Sequence, residues 1–290
     1  MSRFRHYVAI DWSGAAGERH KGIAVAVADA AGGPPVLARH HWSREDILAL
    51  LRDLPPDTLA GLDLGLSLPF ADCGAFFPGG DESPPDARSL WALVERLSAA
   101  DPHLGAQGFV DHPQASRFFR RHGGREGAAF RCDDAAHGRG RFRVTEVEQA
   151  RMGCKPYSNF NLVGAAQVGK SSLTGMRVLH ALGGEVPVWP VDPLPESGSV
   201  VVEIYTTIAA MAAGRSPGRA KMRSYEALNE ALAALGSPPV AGTGALDDHA
   251  TDALLAAAWL RTVAHRPELW SPAKMTPEIA RTEGWTFGVP

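Results

Sequence analysis

Apolar and polar positions alternate with period two over the first stretch of the chain, where Val8, Ile10 and Trp12 interleave with Tyr7, Ala9 and Asp11. That period predicts a strand. Gly22 to Ala28 and Pro35 to Trp42 read as two more strands, and their short links predict antiparallel neighbours. Ser43, with Asp46 three residues on, predicts the start of a helix through Ile47, Leu48, Leu50 and Leu51, closed by Pro55-Pro56. Thr58 to Leu68 is almost continuously apolar around one acid, Asp63. A run of that kind fits a strand buried on both faces, as in a parallel sheet. Ser199 to Tyr205 is a fifth strand with one embedded acid, Glu203. A helix over Tyr225 to Leu235 follows, then the Pro238-Pro239 break, then a helix opening at Asp247.

That last helix carries acids where a core-facing helix should not. Asp248 and Asp252 are four apart and share a face that continues through Leu255, Trp259 and Val263. Asp247 reads as its N-cap, and an acid in a first turn complements the helix dipole. Asp252 lies a turn further in, where capping does not account for it.

The pattern predicts an α/β chain with a mixed five-stranded sheet flanked by helices. About 130 residues separate strands four and five, far more than an ordinary connection. We expect a single domain over 1–290, with 71–198 as an inserted helical and loop subdomain and 266–290 as a C-terminal extension. Composition fits a soluble globular protein: 290 residues, 45% apolar, 21% charged, net charge −3. No apolar signal core opens the chain and no apolar run approaches the ~20 residues of a membrane span. The three cysteines have no metal-knuckle spacing. A cytoplasmic location without membrane contact is the expectation.

Charge is uneven. From Arg117 to Lys155 ten basic residues face five acids, a balance near +5 that leaves the rest of the chain near −8. Phe118, Phe119, Phe130 and Phe142 are interleaved. Arginines with aromatics can track a phosphate backbone and stack on bases, which makes nucleic acid a candidate partner; the competing reading is a solvated, arginine-rich loop. His112, His122, Cys132, His137 and Cys154 match no structural zinc pattern and read as scattered loop or core residues.

Single acids inside apolar elements recur at Asp11, Asp63, Glu203, Asp248 and Asp252. Several converging in one sheet suggest a cation site, and oxygen ligands suit Mg²⁺ or Mn²⁺. The order β-β-β-α-β, then a further strand and helix, with acids on strands one and four and on the last helix, resembles the ribonuclease H-like fold. Asp248-His249-Ala250-Thr251-Asp252-Ala253-Leu254 is similar to the C-terminal helix of RuvC-type Holliday-junction resolvases. Nearly end to end, the chain resembles the DUF429 family of predicted RNase H-like nucleases. The matching pieces are Ala9-Ile10-Asp11, Leu62-Asp63-Leu64-Gly65-Leu66, Val202-Glu203-Ile204-Tyr205, the Asp-rich helix and Glu283-Gly284-Trp285-Thr286-Phe287-Gly288-Val289.

The resemblance implies a metal-dependent nuclease acting on DNA or RNA. Asp11 would bridge two metals, and Asp63 would stand at the strand-four acid, a position where those enzymes usually have the longer Glu. Asp252 matches the acid before Ala-Leu. His249 and Asp248 compete for the second helical position, and Asp248 is preferred because it shares the face of Asp252. Glu203 has no counterpart in the resolvases and reads either as a further ligand or as the partner of an arginine in the insertion.

Gly164-Ala165-Ala166-Gln167-Val168-Gly169-Lys170-Ser171 is a formal Walker A match, in which Lys170 would reach phosphate. Only Phe160-Asn161-Leu162-Val163 precedes it, in place of a long strand. A nucleotide-binding ATPase or kinase using this loop is therefore the rival reading, and a non-catalytic nucleic-acid-binding module a third.

Overall fold

A computed structural model describes residues 3–131, 140–164, 167–217 and 221–290. Six strands form one mixed sheet: β1 (His6–Asp11), β2 (Ala24–Asp29), β3 (Val36–Leu37), β4 (Thr58–Leu62), β5 (Val188–Trp189) and β6 (Val200–Glu203), in the order β3-β2-β1-β4-β6-β5. The first three pair antiparallel, as their short links predict. β1, β4, β6 and β5 run parallel.

The sheet thus has six strands rather than five. The extra one is a two-residue edge strand, too short to leave a pattern in the sequence. The fourth strand also ends at Leu62 rather than Leu68, where its partners run out: Leu62 sits opposite both Ile10 and Glu203. Leu64 then turns back to donate to the Leu62 carbonyl at 2.9 Å, and the apolar run continues as a buried loop.

Nine helices are described: α1 (Arg44–Arg52), α2 (Ala87–Ser98), α3 (Gln107–Asp111), α4 (Val144–Arg151), α5 (Val168–Leu182), α6 (Thr206–Ala212), α7 (Tyr225–Ala234), α8 (Asp248–Val263) and α9 (Pro277–Thr282). The start of α1 is local chemistry. The Ser43 hydroxyl accepts from the Asp46 amide at 3.0 Å while Asp46 accepts from the Ser43 amide at 2.9 Å, a reciprocal cap.

Alternation on the parallel strands feeds two cores. Val8, Ile10, Ala60, Leu62 and Val201 face Ile47 and Leu51 of α1, Leu90, Trp91 and Val94 of α2, and Leu173, Met176 and Leu179 of α5. Tyr7, Ala9, Leu59, Val200 and Val202 face α6, α7 and α8. Each such aliphatic side chain, fully buried, contributes ~1.5–3 kcal/mol. Residues 71–198 therefore supply α2 and α5 to the main core as a helical layer. The C-terminal stretch is likewise core: Trp285, Phe287 and Val289 are fully buried, and the Phe287 amide donates to the Glu203 carbonyl at 2.8 Å.

Packing also overrides the arginine–aromatic reading of the insertion. Phe118, Phe119, Phe130 and Phe142 are all buried, with Phe118 and Phe119 against Phe160, so they offer no stacking platform. Arg141 and Arg143 of the same stretch are buried too. Cys132 and His137 lie outside the described residues, and Cys154 is buried with its Sγ 3.5 Å from Met211 Sδ. Among the described residues no helix is long and apolar enough to cross a membrane.

Candidate active site

The parallel strands β1, β4 and β6 end at the same level, and their carboxyl ends open into a pocket of about 480 Å³. Crevices at this edge of an α/β sheet are where such folds bind ligands. Register does the assembly. Asp11 is the last residue of β1, Asp63 directly follows β4, and the Asp63 amide donates to the Ile10 carbonyl at 2.9 Å. The start of α8 lies over the same edge and adds His249 and Asp252 to the pocket wall.

Close packing fixes the loops that leave these strands. Trp12 Nε1 donates to Thr174 Oγ1 of α5 at 3.1 Å. The buried Arg44 guanidinium donates to the Ser13 and Ala15 carbonyls at 3.1 and 2.6 Å. Beyond Asp63, a side-chain carbon at Gly65 would fall 2.2 Å from Asn159 Nδ2 and 2.8 Å from Ser172 Oγ, so only glycine allows that approach.

The carboxyls are under electrostatic strain. Asp63 is pushed well above the usual carboxylate range by burial, and then by the charges of Asp11 and Asp252. Burial also raises Asp11, against the pull of His249. Asp252 is pushed up to about 7, chiefly by burial and then by Asp11. Desolvation and like charge act together here, the usual origin of a raised acid. Thr206 Oγ1 donates to Asp63 Oδ2 at 3.1 Å. His249 Nδ1 lies 2.5 Å from Asp11 Oδ2, and this bond raises the imidazole pKa.

Asp248 goes elsewhere. It forms an ion pair with Lys221, has Arg223 3.9 Å away, and does not line the pocket. His249, rather than the preferred Asp248, therefore stands beside Asp11. The reason is twofold. Almost the whole circumference of α8 is buried, so a single apolar stripe does not set directions. Residues three apart are also helix neighbours, which keeps His249 next to Asp252. Asp247 is the cap, its Oδ1 accepting from the Ala250 amide at 2.8 Å.

Glu203 is a correction to the ligand set. Its Oε1 accepts from Arg143 Nη2 at 2.6 Å and from Thr286 Oγ1 at 2.5 Å. Its Oε2 accepts from Arg143 Nη1 and from the Leu66 amide, each at 2.8 Å. With both oxygens used twice, the partner-of-an-arginine reading holds and no lone pair is left for a cation. Arg143 is fully buried among carboxylates. Burial opposes its charge, and Glu146 and Glu203 override that and raise its pKa. Glu283 completes the group, accepting from the amides of Phe70, Ala71 and Val144. Arg143, Glu146 and Glu203 line one side of the pocket, and the network ties the helical layer to the C-terminal stretch there.

Three amides of the Walker-like loop are bonded within the protein. Ala165 and Ala166 lie outside the described residues. Of the rest, Gly169 N donates to the Asn161 carbonyl at 3.0 Å, and Lys170 N and Ser171 N donate to Gln167. A side-chain carbon at Gly169 would fall 2.4 Å from the Asn159 carbonyl, so this glycine serves packing. Lys170 faces a neighbouring cavity.

Sequence reasoning missed Lys221, whose charge acts on Asp11, Asp248 and Asp252 from a loop 27 residues ahead of α8. It also missed Thr206, and nothing in the local pattern marks either residue. Among the described residues no group of three or more His, Cys, Asp or Glu side chains is already arranged to enclose an ion. The donor chemistry nonetheless fits a hard divalent cation: three carboxyls line one pocket, and burial raises the pKa of each. The chain matches no family model, no curated protein and no solved structure.

Proposed function

We propose that the protein is a nuclease of the ribonuclease H-like type, akin to the DUF429 family, that hydrolyses phosphodiester bonds of nucleic acid with Mg²⁺ or Mn²⁺. One observation carries the reading: Asp11 and Asp63, at the carboxyl ends of parallel strands, and Asp252 of α8 share one pocket, although Asp11 and Asp252 disfavour ionisation of Asp63 and Asp11 disfavours that of Asp252. A fold bears such a cost where an occupant repays it.

In this reading Asp11, Asp63 and Asp252 hold the ion. When bound, it lowers the pKa of a water and stabilises the leaving oxygen. The chain's own groups prepare the site. His249 orients the Asp11 carboxyl and takes up a proton from the cluster, and Thr206 fixes one oxygen of Asp63. The carboxyls of Asp11, Asp63 and Asp252 would have to be deprotonated to hold the ion.

The test is direct. Purified protein with Mn²⁺ or Mg²⁺ should cut DNA or RNA, and Asp11→Asn should abolish the cleavage. Equal trace activity in wild type and variant would sink the proposal. So would titration calorimetry that detects no Mn²⁺ binding lost in the variant.

A further inference from the structure

A second cavity, of about 610 Å³, adjoins the acidic pocket and shares Gly164 and Gln167 with its wall. Its cationic lining is Arg120, Arg121 and Lys170. Arg121 pairs with Asp111. Glu126 senses Arg120 only at a distance, its own partner being Arg131. Among the described residues neither Arg120 nor Lys170 forms an ion pair.

The backbone builds this arrangement. Arg120 N donates to the Phe160 carbonyl and Arg120 O accepts from Leu162 N, each at 2.9 Å, which sets Arg120 beside the chain that leads into α5. Gly123 and Gly124, at φ 73° and 74°, close a tight loop in which Arg121 N donates to the Arg125 carbonyl at 2.8 Å. Opposite stands Lys170 in the first turn of α5. That turn holds no acid, and no side chain caps the helix. A helix N-terminus already carries roughly half a positive charge, so a lysine there is unfavourable until an anion arrives.

We propose that this cavity binds backbone phosphates of the nucleic-acid strand whose scissile phosphate lies at the acidic cluster. The inference rests on the nuclease reading of that cluster. The cluster repels a polyanion, so the cations that anchor the strand must lie outside it and close by. Side chains do the binding, since the Gly169, Lys170 and Ser171 amides are bonded within the protein.

The experiment uses the full chain carrying Asp252→Asn to silence cleavage. A fluorescein-labelled single-stranded DNA oligonucleotide, and the RNA of the same sequence, are titrated by anisotropy over a range of NaCl. Adding Arg120→Gln and Lys170→Gln should weaken binding by about tenfold or more and lower the slope of log K against log salt by about one to two. Arg125→Gln, which removes one charge from an exposed residue outside the lining, should leave both nearly unchanged. Circular dichroism and an unaltered Mn²⁺ isotherm in the wild-type background check that the variants fold. Unchanged affinity and slope in the double variant overturn the subsite, as does an equal loss in Arg125→Gln or no binding of either oligonucleotide. Failure of the acidic-site reading looks different: no Mn²⁺ binding, with oligonucleotide binding still dependent on Arg120 and Lys170.

Discussion

His249 Nδ1 and Asp11 Oδ2 stand 2.5 Å apart, joining residues 238 positions distant in the chain. The bond raises the imidazole pKa and opposes the effect of burial on the carboxyl. An arriving divalent ion must compete with protons at this cluster, where Asp252 is pushed up to about 7. Mn²⁺ affinity should therefore rise between pH 6 and pH 8, by up to about tenfold per pH unit for each proton displaced. Calorimetry in buffers of different ionisation enthalpy counts the protons directly. An affinity flat over that range would show that the ion binds away from the cluster.

Stability without metal should run the opposite way. Asp252 is pushed up to about 7, so the folded chain holds this proton more tightly than the unfolded chain does. Between roughly pH 4 and pH 7 the native state binds more protons, and stability falls as pH rises through that window. Asp11, Asp63 and His249 are raised too and act in the same sense. Asp252→Asn should remove the Asp252 part, leaving the variant roughly 2–4 kcal/mol more stable than wild type at pH 8 and nearly equal to it at pH 4. Urea unfolding in EDTA at the two pH values reads this out. A variant less stable than wild type at pH 8 would contradict the buried-charge account.

The Arg143 network should respond as a unit. Glu203→Gln leaves a buried guanidinium short of one negative partner, and breaking such a pair costs about 3–5 kcal/mol. Arg143→Met should cost at least as much, since Glu146, Glu203 and Glu283 then repel one another without a counter-charge. If the double variant Arg143→Met/Glu203→Gln is no more stable than the sum of the single losses predicts, the two side chains are not coupled.

Gly65→Ala tests the loop that follows Asp63. The added carbon would meet Asn159 at 2.2 Å and Ser172 at 2.8 Å, inside a closed core. We expect about 1–3 kcal/mol of destabilisation from overpacking and a measurable drop in Mn²⁺ affinity, because Asp63 sits two residues away. Ser43→Ala is the contrast. It removes the α1 cap for about 1 kcal/mol and should leave Mn²⁺ affinity untouched.

The sequence alone determined what local physics decides. Period-two alternation gave β1, an almost continuous apolar run gave β4, the Ser43 and Asp247 caps gave the starts of α1 and α8, and short links gave the antiparallel order of the first three strands. It also singled out Asp11, Asp63 and Asp252, because an acid inside an apolar element breaks a pattern readable one residue at a time. Tertiary structure decided the rest. Which of Asp248 and His249 meets Asp11 depends on Lys221, a residue from another loop. Whether Glu203 is a ligand depends on an arginine 60 residues earlier, and whether four phenylalanines face solvent depends on the core they fill. A partner's position is a property of the whole packed chain, and no local period encodes it.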